Sequence, residues 1–338
     1  MRVVWCCWKG RTVPSGRRGR SRAGGRPAET HTFFSGLSTS HRVQTIAALP
    51  TESVAPLTPE VLAKLAHLEA LIAAKGAVLV AYSGGVDSAL IAAAGVRALG
   101  AWNGAGHGAL GVLADSSTLA RHELHLARAT ADAIGLPVEE LTYSEFDNPD
   151  WAANDGTRCY HCKKDLAVAL NALAPRLGLG RDQIAFGITT SDLGDHRPGI
   201  QATQEEGAWH PLVEAELSKL EVRALARHLG LPVWDKPATP CLSSRVQYGE
   251  HITADTLHRI EQAEEAVRGL GFRVFRVRHH DRLARIEVPR DELERALSLR
   301  EALVSALKAV GYTYVTLDLV GFRSGAMNEA LVHDGAKA

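Results

Sequence analysis

From Pro59 onward, apolar residues fall at helical spacing (Leu62, Leu65, Leu68, Leu71 and Ile72) and lead into the unbroken run Ala77-Val-Leu-Val-Ala-Tyr82. A short β-branched run of this kind predicts a strand buried on both faces, as in a parallel sheet. The cycle then repeats: helix over 87–99, strand over 109–114, helix over 119–134, strand over 138–143, a helix after Cys162, a strand near 183–188 and a helix near 219–229. Such alternation predicts an α/β fold, a doubly wound parallel sheet with right-handed crossovers. After Arg245 the rhythm changes to helix 254–270, adjacent strands 273–278 and 284–288, helix 291–310 and strand 312–317. The expected organisation is therefore a first domain over 56–245 and a smaller C-terminal α+β domain over 246–338. Residues 1–55 lack sustained periodicity and are expected to be a basic, disordered head.

Charge sharpens this division. The chain is formally neutral, but eight Arg and Lys residues lie between Arg2 and Arg26, and removing them leaves 30 basic against 38 acidic residues. A body of net charge −8 is the wrong sign for a nucleic-acid enzyme. The head is an RNA-binding arm, a solvated tail, or sequence ahead of a true start near Val43 or Val54. No apolar run approaches the roughly eighteen residues of a membrane span, and no secretory signal is evident. A cytoplasmic protein is expected.

Ser83-Gly-Gly-Val-Asp-Ser88 lies between the first strand and its helix. A polyanion sits well there, on backbone N–H groups and the positive end of the helix dipole. Gly84 and Gly85 let the backbone approach phosphate, and Ser83 and Ser88 add hydroxyls. Asp87 would repel phosphate unless Mg²⁺ bridged the two. The loop resembles the SGGxDS signature of the PP-loop ATP-pyrophosphatases. It lacks the Gly-Lys-Ser/Thr of a Walker loop. The resemblance implies ATP cleavage between the α- and β-phosphates, with adenine across the ends of the first two strands. Asp115, at the carboxyl edge where open α/β sheets bind ligands, is then expected near the nucleotide; the competing role is a helix N-cap.

Cys159 and Cys162 stand three apart in Arg158-Cys-Tyr-His-Cys-Lys163, and Cys241 lies in Pro240-Cys-Leu-Ser-Ser-Arg245. Structural zinc usually takes four ligands, so three thiols suit a [4Fe–4S] cluster with one open iron better. Separate buried cysteines are the other reading. Arg158, Lys163 and Lys164 would favour thiolate at the first pair.

Three further stretches are similar to the LarE-type ATP-dependent sacrificial sulfur transferases: Gly187–Gly199, Trp234–Arg245 and Val320–Asn328. Together with the loop, the likeness spans roughly 57 to 329. It implies that ATP activates a carboxylate of a pyridinium dicarboxylate mononucleotide and that sulfur displaces AMP, leaving a thiocarboxylate for a nickel-pincer cofactor. In single-cysteine members the thiol at the position of Cys241 gives up its own sulfur. In three-cysteine members, the pattern here, the thiols resemble a cluster site carrying sulfide.

Arg276 and Arg278 alternate on one face of a strand, and with Arg323 they are expected to clamp the substrate phosphate, as guanidinium suits. The alternative is a solvated strand face paired with carboxylates such as Glu287. Arg245 is expected to compensate charge near the acyl-phosphate. The expected partners are a small-molecule mononucleotide and further copies of this chain, with no nucleic acid and no membrane. Rival functions are a PP-loop tRNA thiolase and a non-catalytic nucleotide-binding regulator.

Overall fold

Thr58 caps α1 (Pro59–Lys75) through its side chain, and the left-handed Gly76 ends that helix one residue before β1 (Ala77–Ala81). The computed structural model describes residues 54–194, 198–323 and 326–328, so the basic head lies outside the described residues. The alternation continues through α2 (Val86–Leu99), β2 (Gly108–Asp115), α3 (Arg121–Ile134) and β3 (Val138–Thr142). Next come α4 (Pro149–Ala152), α5 (Arg158–Leu173), β4 (Ile184–Ala185), α6 (Pro198–Glu205), α7 (Pro211–Glu214) and α8 (Lys219–His228). The strands form a wholly parallel sheet in the order β3-β2-β1-β4. Successive residues of β1 serve opposite faces. Val78 and Val80 join Leu68, Leu90, Leu124 and Leu225 on one side, while Ala77 and Leu79 join Leu170 and Phe186 on the other. Helices thus cover both faces of this PP-loop α/β sheet.

Two local expectations need correction. The strand near 183–188 is only two residues long, because the chain turns to pair with Trp209 instead: Phe186 N–H donates to its carbonyl and Trp209 N–H to that of Ile184, each at 2.9 Å. The helix expected after Cys162 begins at Arg158, so both cysteines lie within its first turns.

Past 245 come α9 (Ala254–Gly269), β5 (Arg276–His280), β6 (Leu283–Glu287), α10 (Leu293–Ser298), α11 (Arg300–Ala309) and β7 (Tyr314–Leu317). The helix expected over 291–310 is interrupted at Leu299, where Ser298 Oγ turns back to the Arg295 carbonyl at 2.7 Å. β5 pairs antiparallel with β6, and β6 parallel with β7. This sheet has its own core of Phe272, Val277, Ile286, Leu303 and Leu307. A separate cluster of Trp151, Leu242, Val246, Ile252 and Leu257 packs α4, the 242–245 turn and α9 together. The described residues all fall in one compact unit. None of the described helices is long and apolar enough to cross a membrane.

Candidate active site

The loop between β1 and α2 is tied by its own hydroxyls. Ser88 Oγ accepts from Ser83 N–H at 3.2 Å, lies 3.2 Å from Ser83 Oγ, and donates to the Gly85 carbonyl at 3.1 Å. Gly84 has φ +67°, and a Cβ there would lie 2.7 Å from Ala127 Cα. A Cβ on Gly187, just past β4, would meet Ser88 N at 3.0 Å. Gly84 admits no side chain, and one at Gly187 would crowd the start of α2. Gly85 caps α2 with no side-chain bond, which leaves the helix start presenting N–H groups as a phosphate site does. The loop therefore fits a nucleotide's phosphates.

Asp87, the second residue of α2, is held by Lys219 Nζ at 2.7 Å from Oδ1, with a second contact to Oδ2. Burial pushes its carboxyl above the usual range and Lys219 opposes the shift. Asp115 ends β2 and pairs with Arg121 at 2.5 Å. It is not a helix cap, since α3 begins behind Ala120. Its carboxylate is engaged at the carboxyl edge of the sheet.

A strap of chain links the loop to the third cysteine. Lys236 Nζ donates to the Gly84 carbonyl at 3.2 Å, and its ion pair with Glu123 is nearly dry. Arg276 Nη2 donates to Ala238 O at 2.6 Å, Arg245 Nη1 to Cys241 O at 3.0 Å, and Leu242 N–H to Thr118 O at 2.8 Å. Cys241 is thereby fastened beside the turn that follows β2. Its Sγ lies 2.9 Å from Ser243 Oγ.

The three cysteines among the described residues, Cys159, Cys162 and Cys241, are free thiols. Cys159 and Cys162 stand one turn apart on α5, the spacing that puts side chains on the same face. Burial pushes the Cys162 thiol up to about 12, with the neighbouring Cys241, Glu145 and Cys159 adding to the shift and Lys163 opposing it. The expected thiolate-favouring basic setting is thus not realised at Cys162. Lys164 is turned to Tyr160 (3.1 Å), and Arg158 is buried against Asn154 and the Ser243 carbonyl. The thiols share one neighbourhood, yet among the described residues no three Cys, His, Asp or Glu side chains stand together as a metal site. As placed, they do not form the ligand set a cluster would need.

The arginines part company. Arg278 is buried and bidentate on Glu287, with Nε and Nη2 each at 2.9 Å, and its Nη1 donates to Ser244 O. It makes the pair with Glu287, but away from solvent, so its charge is spent internally. Arg245 is 1 % exposed and bidentate on Glu264 at 2.8 and 2.9 Å, while its Nη1 also reaches the Pro240 and Cys241 carbonyls. Its expected place beside an acyl-phosphate is corrected by that geometry: it is a positioning residue for Cys241. Arg276 is buried with two carbonyls and the Phe322 ring, 5.0 Å away, as neighbours, and among the described residues no carboxylate is bonded to it. Burial first, then Arg245, pushes it down to about 10. Arg323 is half-buried on the segment after β7.

Three residues here were not singled out from sequence. In the sequence Lys219 stands only at a helix start, and Lys236 only within Trp234–Arg245. Glu145 is 1 % exposed; its Oε1 accepts from Ser116 and Thr118, both at 2.8 Å, and its Oε2 has no hydrogen-bond partner among the described residues. A lone Glu among loop residues carries no sequence signal for such burial.

A parallel sheet with a glycine-cradled helix start at its carboxyl edge fits the PP-loop class, and here a thiol is strapped beside it. No family model matches the chain. It is 44% identical over 271 residues to an uncharacterized protein of Synechocystis sp., spanning 79% of this chain and 98% of that one. It is 37% identical over 254 residues to the pyridinium-3,5-bisthiocarboxylic acid mononucleotide synthase of Lactiplantibacillus plantarum, covering 75% of this chain and 90% of that one. A more distant likeness, 30% over 197 residues, reaches the tRNA-specific 2-thiouridylase MnmA of Azorhizobium caulinodans, at 47% of this chain and 48% of the other. The chain belongs to the LarE family of sulfur transferases, within the PP-loop superfamily.

Proposed function

We propose that this enzyme is an ATP-dependent sulfur transferase. It adenylates a carboxylate of a pyridinium dicarboxylate mononucleotide and converts it to a thiocarboxylate for a nickel-pincer nucleotide cofactor. The observation that carries the reading is the strap from Lys236 on the Gly84 carbonyl to Cys241 beside Thr118, which puts a thiol and a phosphate loop on one sheet edge. The relative from Lactiplantibacillus plantarum supplies the substrate class through its name.

The loop N–H groups and the start of α2 hold the phosphates, and Asp87 would hold Mg²⁺, which neutralises phosphate charge when bound. In the first step a substrate carboxylate oxygen attacks the α-phosphorus and the bond to the β-phosphate bridge breaks, so pyrophosphate leaves. In the second, the Cys241 sulfur attacks the acyl carbon and the bond to AMP breaks, with AMP keeping the electron pair. Loss of the Cys241 Cα proton and cleavage of its Cβ–S bond then leaves the pair on sulfur. The product is a thiocarboxylate, and residue 241 becomes dehydroalanine. Arg245 keeps the Cys241 carbonyl fixed throughout. Arg276, a buried guanidinium with no carboxylate bonded to it among the described residues, is the residue to receive the substrate phosphate, with Arg323 as its companion. No step is derived through an iron–sulfur cluster.

Mass spectrometry of the chain after turnover tests this. Loss of one hydrogen sulfide at Cys241, at one product per chain and without iron, is expected. Cys241→Ala should still release pyrophosphate but form no thiocarboxylate. Repeated turnover on added sulfide with Cys241 unchanged in mass would overturn self-donation in favour of sulfide carried at the three thiols.

A further inference from the structure

Arg158, buried beside the thiols, has no carboxylate bonded to it among the described residues. It is 4 % exposed, and its guanidinium hydrogen-bonds there only to neutral groups: Nη1 donates to Asn154 Oδ1 and, at 3.0 Å, to the Ser243 carbonyl. Nε and Nη2 make no hydrogen bond among the described residues. The guanidinium lies over the Tyr248 ring, 5.4 Å from its centroid. A guanidinium taken out of water without an anion is costly. Arg158 is also the first residue of α5, where the helix dipole is already positive. Positive potential held in this way is stabilised by an anion.

Asn154, which holds this cation, is itself over-determined. It is fully buried with φ +55°, in the left-handed region. Its Nδ2 donates to the Gln247 and Glu250 carbonyls, both at 2.8 Å, and its own carbonyl accepts from Gly249 N–H at 3.0 Å. Backbone strain of this kind persists where the surroundings impose it, and it gathers at ligand sites. Asn154 thereby fixes Arg158 against Ser243, two residues past Cys241. Half-buried Tyr248 shares the neighbourhood: burial pushes its hydroxyl up, Arg158 opposes the shift, and Cys159 and Cys241 add to it. The other buried cations near Cys241 are engaged. Arg245 and Arg278 are paired with Glu264 and Glu287, and Arg276 is the residue assigned above to the substrate phosphate.

We propose that Arg158 is a specificity residue that binds the second carboxylate of a pyridinium dicarboxylate while the first reacts at Cys241. This rests on the substrate reading above. Two carboxylates on one rigid ring cannot both meet the same group, so the one that is not being activated needs a partner of its own. A planar guanidinium with Nε and Nη2 unengaged offers it a fork. A molecule already thiolated at one position suits the same place, because a thiocarboxylate is also an anion. One subsite then serves both ends of the substrate in turn.

Calorimetric titrations of the full chain with a pyridinium dicarboxylate mononucleotide and with its monocarboxylate analogue separate this from plain structural bracing. The parent should bind the dicarboxylate about tenfold or more tightly than the monocarboxylate, the worth of one charge-assisted contact. Arg158→Gln should bring the dicarboxylate to within about twofold of the monocarboxylate, whose own affinity is unchanged. A residue that only fastened Ser243 would lower both affinities equally. That result, or an unchanged preference, overturns the assignment. Should Arg158→Gln fail to fold, Arg158→Lys takes its place: the charge stays but the fork is lost, so the preference should fall severalfold. A preference equal to the parent's in that variant overturns the assignment too. A parent that binds both ligands alike overturns it and leaves the substrate reading standing. A parent that binds neither overturns the substrate reading, and this assignment with it.

Discussion

The two sheets use charge in opposite ways. Around β1–β4 the core is apolar, and the site at its edge is made of backbone N–H groups, hydroxyls and ion pairs of which Lys219–Asp87 is partly exposed. Around β5–β7, charge goes inside: Arg245 with Glu264 and Arg278 with Glu287 are buried pairs, and Arg276 is buried beside them. Among the described residues buried there, three arginines face two glutamates, an excess of one buried positive charge. A dipole-based cradle at a surface edge tolerates a large, exchangeable polyanion. A dry cluster short of one anion instead selects a small, specific one, since the desolvation cost has been met during folding. The first region suits ATP and the second a single phosphate.

The largest expected effect comes from breaking a buried pair. Glu264 accepts from both Nε and Nη2 of Arg245 and also from Val277 N–H at 3.1 Å. Glu264→Gln leaves Arg245 and Arg276 without that carboxylate and should destabilise the chain by about 3–5 kcal/mol. Urea unfolding measures it. A loss below about 1 kcal/mol, the scale of an exposed pair, would mean that the second region is wetter than described and the contrast with the first is lost.

Next is the odd cation. Arg276→Gln should weaken binding of a substrate phosphate by about 1.5–3 kcal/mol, or one to two decades in affinity, with ATP affinity nearly unchanged and a smaller loss of unfolding stability than Glu264→Gln, from the released Phe275 and Ala238 carbonyls. Paired Arg278 gives the opposite pattern, because Arg278→Gln strands Glu287. Equal loss of ATP affinity in Arg276→Gln would show that the two regions do not divide the ligands between them.

The sequence disclosed the first region far better than the second, for a physical reason. The strand, glycine loop and helix around Ser83–Ser88 are consecutive, and local pattern determines them. The helix start at Arg158 is not legible in the sequence because the Asp155–Thr157 turn that sets it, with Thr157 N–H on Asp155 Oδ1 at 2.7 Å, lies outside any apolar periodicity. Arg276 and Arg278 are indistinguishable in sequence, being the same residue two apart on one strand. Their fates depend on how β5 meets β6. Glu287 stands directly opposite Arg276 in the register yet bonds its diagonal neighbour, Arg278. Partner choice of that kind depends on three dimensions. So does the meeting of Lys219 with Asp87 across 132 positions of chain.

The smallest stability effect, and the one most revealing about the nucleotide edge, belongs to Asp87→Asn. The folded-state carboxyl titrates above its ordinary value of 3.8, burial being the main cause and Lys219 the opposing one. Between the ordinary and the raised value the folded chain holds more protons than the unfolded one, so this group's contribution worsens as pH climbs through that window. Asparagine removes the titration. The variant should therefore match or exceed its parent in stability at neutral pH, by less than about 1 kcal/mol for a partly exposed group. The advantage should vanish below 3.8, where the parent's carboxyl is protonated in both states. Magnesium-dependent pyrophosphate release should be lost at the same time. Denaturant midpoints of the two chains at neutral and acid pH, alongside a pyrophosphate assay, read both quantities. A variant clearly less stable than its parent at neutral pH would mean that the pull of Lys219 outweighs burial. The edge of the first sheet would then be held together by charge, as the second region is.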